Sequence, residues 1–251
     1  MSPSYRTLWI SDTHLGTEAA RATDLLQFLD HVSADTIYLV GDIIDLEQMR
    51  ERPIFPDTHR QVLLRFLELS NSGTRVIYIP GNHDHDFRSL VGRDICGIPV
   101  MQEAEHTTAA GERLLIAHGD VLDGRMNRGG SQHTLGVAAY RLVMRVDVTI
   151  NYFGRFLGQD HLPITARIKE YIQAANQYIL RFEKTAASYA EERGYDGIVC
   201  GHIHRPCIRR VGDTLYANDG DWVEHRTALG EGEDGKLEVL QWKSGAIQTR
   251  P

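Results

Sequence analysis

Five short apolar runs punctuate the chain, each too short for a helix and each ending abruptly in polar residues. Residues 7–10 (TLWI), 36–40 (TIYLV), 75–79 (RVIYI), 113–117 (RLLIA) and 197–200 (GIVC) are rich in β-branched, aromatic and leucine side chains. Such runs predict buried strands. Between them, residues 25–32 and 61–69 carry apolar positions at helical spacing, and Asn71-Ser72-Gly73 supplies a stop after the second. A longer helix is predicted over 168–193. Strands alternating with helices predict an α/β fold. The short strands and turn residues after Cys207 predict hairpins of a second sheet.

In α/β sheets ligands bind beyond the carboxyl ends of the strands. All five runs empty into loops with metal-competent side chains: Asp12-Thr13-His14, Gly41-Asp42, Gly81-Asn82-His83-Asp84, His118-Gly119-Asp120 and Gly201-His202-Ile203-His204. Carboxylate, amide oxygen and imidazole suit hard or borderline divalent cations, and no cysteine lies among these donors. In each Asp-x-His or His-x-His pair, extended backbone would point both side chains the same way. Two ions ~3.5–4 Å apart share a bridging ligand, and Asp42 is the best candidate. Asp12, His14 and His204 would complete one site, and Asn82, His118 and His202 the other. His31, His59, His106, His133 and His161 lack such surroundings and are assigned to the surface or to packing.

Composition narrows the class. The chain has 251 residues, 42% apolar and 24% charged, as in an ordinary globular protein. A net charge of −7 speaks against non-specific binding to nucleic acid. Three cysteines without metal-knuckle spacing predict no disulfide framework, and with no apolar leader the expected location is the cytoplasm. No apolar stretch is long enough to span a bilayer, so any membrane contact would be peripheral, at the inner face.

The series DTH, GD, GNHD, HGD and GHIH, in this order at strand ends, resembles the calcineurin-like metallophosphoesterase superfamily from about Leu8 to His204. Each pair alone is common; five in order are specific. The resemblance implies a four-layer α-β-β-α sandwich of two mixed sheets, with a dinuclear centre of two divalent cations at one edge. Mn2+ is the first expectation, with Mg2+, Fe or Zn2+ as alternatives. Such a centre makes a hydroxide nucleophile available at neutral pH. His83, beside ligand Asn82, is placed to protonate the leaving group. Asp45 resembles the family's carboxylate that orients this histidine, the alternative being a solvated loop carboxylate.

Within that superfamily the chain resembles the UDP-2,3-diacylglucosamine hydrolases of lipid A biosynthesis. The resemblance rests on a helical insertion after Asp120, on GHIHRP (201–206) and on YANDGDWVEHRTAL (216–229). The chain departs from that group by carrying His83 where those hydrolases have Arg, and Asp45 where they usually have Glu. We expect one domain over 1–251, with an insertion over 121–193 as a candidate lid. Residues 121–169 hold seven basic and three acidic residues, a local excess of positive charge in an acidic chain. Leu135, Ala139, Leu142, Val146 and Ile150 recur at helical spacing there, with Arg141 and Arg145 on another face as candidate substrate-binding residues. A lid of this kind would meet acyl chains and phosphates; the alternative is a packing helix. The expected partner is a phosphorylated small molecule or lipid. The alternatives are phosphoesterase action on soluble nucleotides or phosphoproteins, and a non-catalytic scaffold, against which the full ligand set speaks.

Overall fold

The first three apolar runs do become parallel neighbours, because each is buried on both faces and needs a layer on either side. A computed structural model of the chain describes residues 3–126 and 166–250, with side chains from 173 onward in the second stretch. Strands β1 (Ser4–Ile10), β2 (Ser33–Val40) and β3 (Arg75–Ile79) pair in parallel. Their side chains divide by the period of two that a pleated strand imposes. Leu8, Ile10, Ile37, Leu39, Val76 and Tyr78 face one core with α1 (Ala22–Asp30) and α3 (Asp57–Asn71), which contribute Leu25, Phe28, Val62 and Phe66. Trp9, Tyr38, Val40, Ile77 and Ile79 face a second core shared with the other sheet. Between β2 and α3 lies the short helix α2 (Leu46–Glu51).

Two other strand pairs follow, β4 (Asp94–Ile95) with β5 (Ile98–Pro99) and β6 (Ala104–Thr107) with β7 (Arg113–Ile116). Helices α4 (Asp120–Met126) and α5 (Ala166–Glu191) precede β8 (Gly197–Cys200), β9 (Cys207–Val211) and β10 (Thr214–Asn218). The chain ends with β11 (Thr227–Glu231), β12 (Leu237–Lys243) and β13 (Ala246–Arg250). One sheet has the order β13-β12-β11-β1-β2-β3 and the other β6-β7-β8-β10-β9, and both mix parallel and antiparallel neighbours. The structure is therefore the expected α/β arrangement of two large mixed sheets with helices.

The runs at 113–117 and 197–200 lie in the second sheet as β7 and β8. One expectation is corrected in part: of the tail's hairpins, β9 and β10 do belong to the second sheet, beside β8, whereas β11 to β13 extend the first sheet beside β1. An apolar run buried on both faces looks the same in either sheet, so the sequence pattern could not separate them.

The chain divides into two compact units, Met1–Asp120 with Ala186–Pro251, and Val121–Thr185. In the described part of the second, the Tyr178 hydroxyl donates to Asp123 Oδ1 (2.9 Å). The predicted helix over 168–193 is α5. Arg141, Arg145 and the apolar positions from Leu135 to Ile150 lie outside the described residues.

Candidate metal centre

Strands of both sheets deliver their carboxyl-end loops to one place in the first unit. Asp12 and His14 follow β1, Asp42 follows β2, Asn82 and His83 follow β3, His118 follows β7, and His202 and His204 follow β8. The backbone there is unusual. Eight non-glycine residues among those described have a positive φ, and five of them are Asp12, His14, Asp42, His202 and His204, at 45° to 68°. The left-handed region costs non-glycine residues energy and clusters at functional sites. The His and Asp pairs thus converge through left-handed turns and not through extended backbone, which corrects the sequence reading. Strand pairing stops at Ile10 and Cys200, and the turns after them aim the side chains.

Among the described residues, Asp12, His14 and His204 each offer a ligand atom within 4.8 Å of the others, and so do Asp42, His118 and His202. In the first group His14 Nε2 lies 3.4 Å from His204 Nε2, and Asp12 Oδ1 lies 3.0 Å from His204 Nε2. In the second, His118 Nε2 lies 3.2 Å from Asp42 Oδ2. Asp12 Oδ1, Asn82 Oδ1 and His118 Nε2 are buried with no hydrogen-bond partner of acceptable geometry. Unsatisfied buried polar atoms are costly unless something else occupies their lone pairs. The remaining atoms of these side chains are tied down. His118 Nδ1 donates to the Val40 carbonyl at 2.8 Å, leaving Nε2 aimed inward. Asp42 Oδ1 accepts from the His83 N–H at 2.7 Å. A donor set of imidazole, carboxylate and amide oxygen, held from behind and unsatisfied in front, fits divalent cations.

The electrostatics agree. Burial pulls the His14 imidazole down, but hydrogen bonds to Asp12 and Asp45 and the charge of Asp42 outweigh it, leaving His14 at about 10. Burial opposes the charged form of His118 too, and Asp42 raises it well above its ordinary value; Asp12 does the same, less strongly, for His204. Burial would raise Asp12 and Asp42, yet the surrounding imidazoles hold both below the usual carboxylate range. Buried carboxylates and imidazoles thus favour one another's charged forms across the site.

His83 is 30% exposed at the side chain, and its Nδ1 lies 3.2 Å from Asp45 Oδ2 and 3.5 Å from Glu47 Oε2. Asp45 is buried and does more than face His83. Its Oδ2 is 3.0 Å from His14 Nδ1, and its Oδ1 accepts from the Gln48 N–H at 2.8 Å, capping α2. It is not a solvated loop carboxylate. His59 and His106 are both buried. The Gly16 N–H donates to His59 Nδ1 at 2.9 Å, and His106 Nε2 pairs with Glu231 Oε2 at 2.7 Å.

Asp84 is a residue the sequence reading passed over, although it ends the GNHD motif. It is fully buried, and its Oδ1 accepts from Gly81 N–H (2.6 Å) while Oδ2 accepts from Ile43 N–H (2.8 Å) and the Tyr78 hydroxyl. It therefore stitches the Asn82 loop to the Asp42 loop. Gly81 cannot be larger, because a Cβ there would lie 2.2 Å from Asp42 Oδ1. Asp84→Ala strands two buried N–H groups, each worth about 1–3 kcal/mol when left unpaired. We expect urea unfolding to show a loss of about 2 kcal/mol or more; an unchanged stability would mean that Asp84 does not hold the two loops together.

The model of the calcineurin-like phosphoesterase superfamily domain matches residues 6–232, so the chain belongs to that superfamily. It is a metal-dependent phosphohydrolase. Among curated proteins it is similar to a UDP-2,3-diacylglucosamine hydrolase of Photorhabdus laumondii, 26% identical and covering 94% of this chain and 98% of that protein. A UDP-2,3-diacylglucosamine hydrolase of Edwardsiella ictaluri is 28% identical, covering 89% of this chain and 87% of its own length. Among solved structures, the phosphoesterase YfcE from E. coli aligns over 96% of this chain and 95% of its own with 16% identity and a TM-score of 0.48.

Proposed function

We propose that the chain hydrolyses a phosphoester or pyrophosphate bond at a pair of divalent cations, with UDP-2,3-diacylglucosamine as substrate and UMP and the acylated sugar phosphate as products. The observation that carries the hydrolytic reading is the convergence of two carboxylate–imidazole groups, with inward-facing atoms unsatisfied, beside the partly exposed His83. Asp12, His14 and His204 would hold one cation, and Asn82, His118 and His202 the other, with Asp42 shared between them. Of these two groups, the distances join Asp42 to His118 and His202, and its charge acts on His14. The chemistry the cations supply is neutralisation of phosphoryl charge and acidification of water. Mn2+ is the first choice for activity.

The chain's own residues do the rest. His118 and His14 are aimed by the Val40 carbonyl and by Asp45. His83, partly exposed, donates a proton to the departing oxygen, and Asp45 fixes the ring from its Nδ1 side. Among the described residues no helix is long and apolar enough to cross a membrane. Contact with a lipid substrate is therefore peripheral in this reading, and the basic insertion with Arg141 and Arg145 would meet it.

The lipid substrate is supported by relatives of that name that cover most of the chain. It is tested by comparing UDP-2,3-diacylglucosamine with its deacylated analogue. Acyl methylenes are worth about 0.8 kcal/mol each when buried, so kcat/KM for the acylated substrate should be higher by orders of magnitude. Equal values would favour a second reading, a phosphoesterase on soluble substrates. That reading draws on the His83–Asp45 contact, since a histidine acid serves alkoxide leaving groups best.

A further inference from the structure

Behind the Asp12 carboxylate lies a buried polar chain that the hydrolytic mechanism does not use. Asp12 Oδ2 accepts from the His202 N–H at 2.9 Å and is within hydrogen-bond distance of Ser11 Oγ. Ser11 Oγ also lies 2.7 Å from Asp219 Oδ1, with the Gly220 carbonyl at 3.5 Å. Ser11, Asp12 and Asp219 are all buried, the two carboxyl groups completely. Asp219 Oδ2 has no hydrogen-bond partner.

A serine hydroxyl carries one proton and can donate to one acceptor. Two carboxyl oxygens cannot both be served by it. If Ser11 donates to one, the other must bring a proton of its own and donate to the serine oxygen. Asp12 has imidazoles and a backbone N–H to support its charge, whereas Asp219 has a single hydrogen bond and one orphaned oxygen. An ionised carboxylate so placed is costly, and the neutral acid is far less so.

We infer that Asp219, as a neutral acid, donates to Ser11, and that Ser11 donates to Asp12 Oδ2, a relay that positions Asp12 so that Oδ1 alone faces His14 and His204. The inference rests on the reading of Asp12 as a cation ligand. Burial, and after it the charge of Asp12, also hold the Asp219 carboxyl well above the usual range. The fold protects the relay. A Cβ at Gly201 would lie 2.2 Å from Ser11 Oγ and 2.3 Å from Asp12 Oδ2. The Trp222 N–H donates to the Asp12 carbonyl at 3.0 Å, and the Asp219 N–H to the Cys200 carbonyl at 3.1 Å. The segment 216–229 thus supports the Asp12 loop from behind. Asp219 and Ser11 are positioning residues, since neither reaches the reacting atoms.

The test is calorimetric titration of the full chain with Mn2+ alone, for wild type, Ser11→Ala, Asp219→Asn and Asp219→Ala. Removing a partner of this kind typically weakens metal affinity by about 10–100-fold. Ser11→Ala and Asp219→Ala should lose affinity by that factor at one of two sites. Asp219→Asn keeps a neutral donor toward Ser11 and should titrate like wild type. Infrared difference spectra should show a protonated-carboxyl band in wild type that Asp219→Asn lacks. Wild-type affinity in Ser11→Ala would overturn the relay. So would a loss in Asp219→Asn as large as in Ser11→Ala, because it would mean that a negative charge is required there. Should Asp219→Ala fail to fold, the other two variants decide. Absence of Mn2+ binding in the wild type would overturn the metal-centre reading and the relay with it, whereas failure of the relay alone leaves two wild-type sites intact.

Discussion

Asp42→Ala should empty both cation positions and abolish turnover. Asp42 is the residue on which the second group and the Asn82–His83 loop both depend. Its Oδ2 lies 3.2 Å from His118 Nε2, and its Oδ1 anchors the His83 N–H at 2.7 Å. Its removal takes away the proposed bridge, leaves the His83 N–H without its acceptor, and leaves buried His118 without its nearest carboxylate. Metal centres of this type stabilise developing phosphoryl charge by several kcal/mol. Since 1.36 kcal/mol is tenfold in rate, kcat/KM should fall by about 10³-fold or more. Metal analysis after gel filtration should find less than one Mn2+ per chain where wild type holds two. Two ions retained at wild-type affinity would show that Asp42 is no bridge, and the cations would then be held by Asp12, His14, Asn82 and the three other histidines alone.

The convergence of the candidate ligands is legible in the sequence because strand ends are where apolar runs stop, and the stopping residues carry metal-competent side chains. Which sheet each strand joins is not legible. Residues 76–79 and 197–200 are short apolar runs buried throughout, yet they sit in different sheets. The left-handed turns at Asp12, His14, His202 and His204 are also hidden, because residue type gives little warning that a histidine will adopt a positive φ. The hardest features to read are buried hydrogen bonds between distant residues. His106 lies in β6, a polar-looking AEHT strand that no apolar run announces, and it is buried against Trp9 and Tyr38 with Glu231, 125 residues away, as its partner. Ser11 and Asp219 are 208 residues apart. Asp45 was legible as a partner of His83 but not as the cap of α2, since that helix is short and without a buried face.

His83→Ala should separate leaving-group chemistry from metal binding, and with it the two substrate readings. The ring touches Asp45 Oδ2 at 3.2 Å and is partly exposed, and its backbone N–H, not its side chain, contacts Asp42. Truncation should therefore leave both cations in place. General-acid catalysis is worth ~10²–10⁴-fold when the leaving group is a poor one. A sugar phosphate leaving from a pyrophosphate is already a stable anion near neutral pH and needs little protonation. An alkoxide leaving from a simple monoester needs a proton as the bond breaks. The variant is thus expected to lose ~10²–10⁴-fold in kcat on an alkyl phosphate and much less on an aryl phosphate or a pyrophosphate. Asp45→Asn should follow the same ranking with a smaller loss, because it disturbs the orientation of the ring but not its presence. Uniform losses across all leaving groups, with metal content unchanged, would give His83 a role in binding the phosphoryl group. Loss of metal in His83→Ala would instead make it a ligand, as its grouping with His14 and Asp45 within 4.8 Å permits.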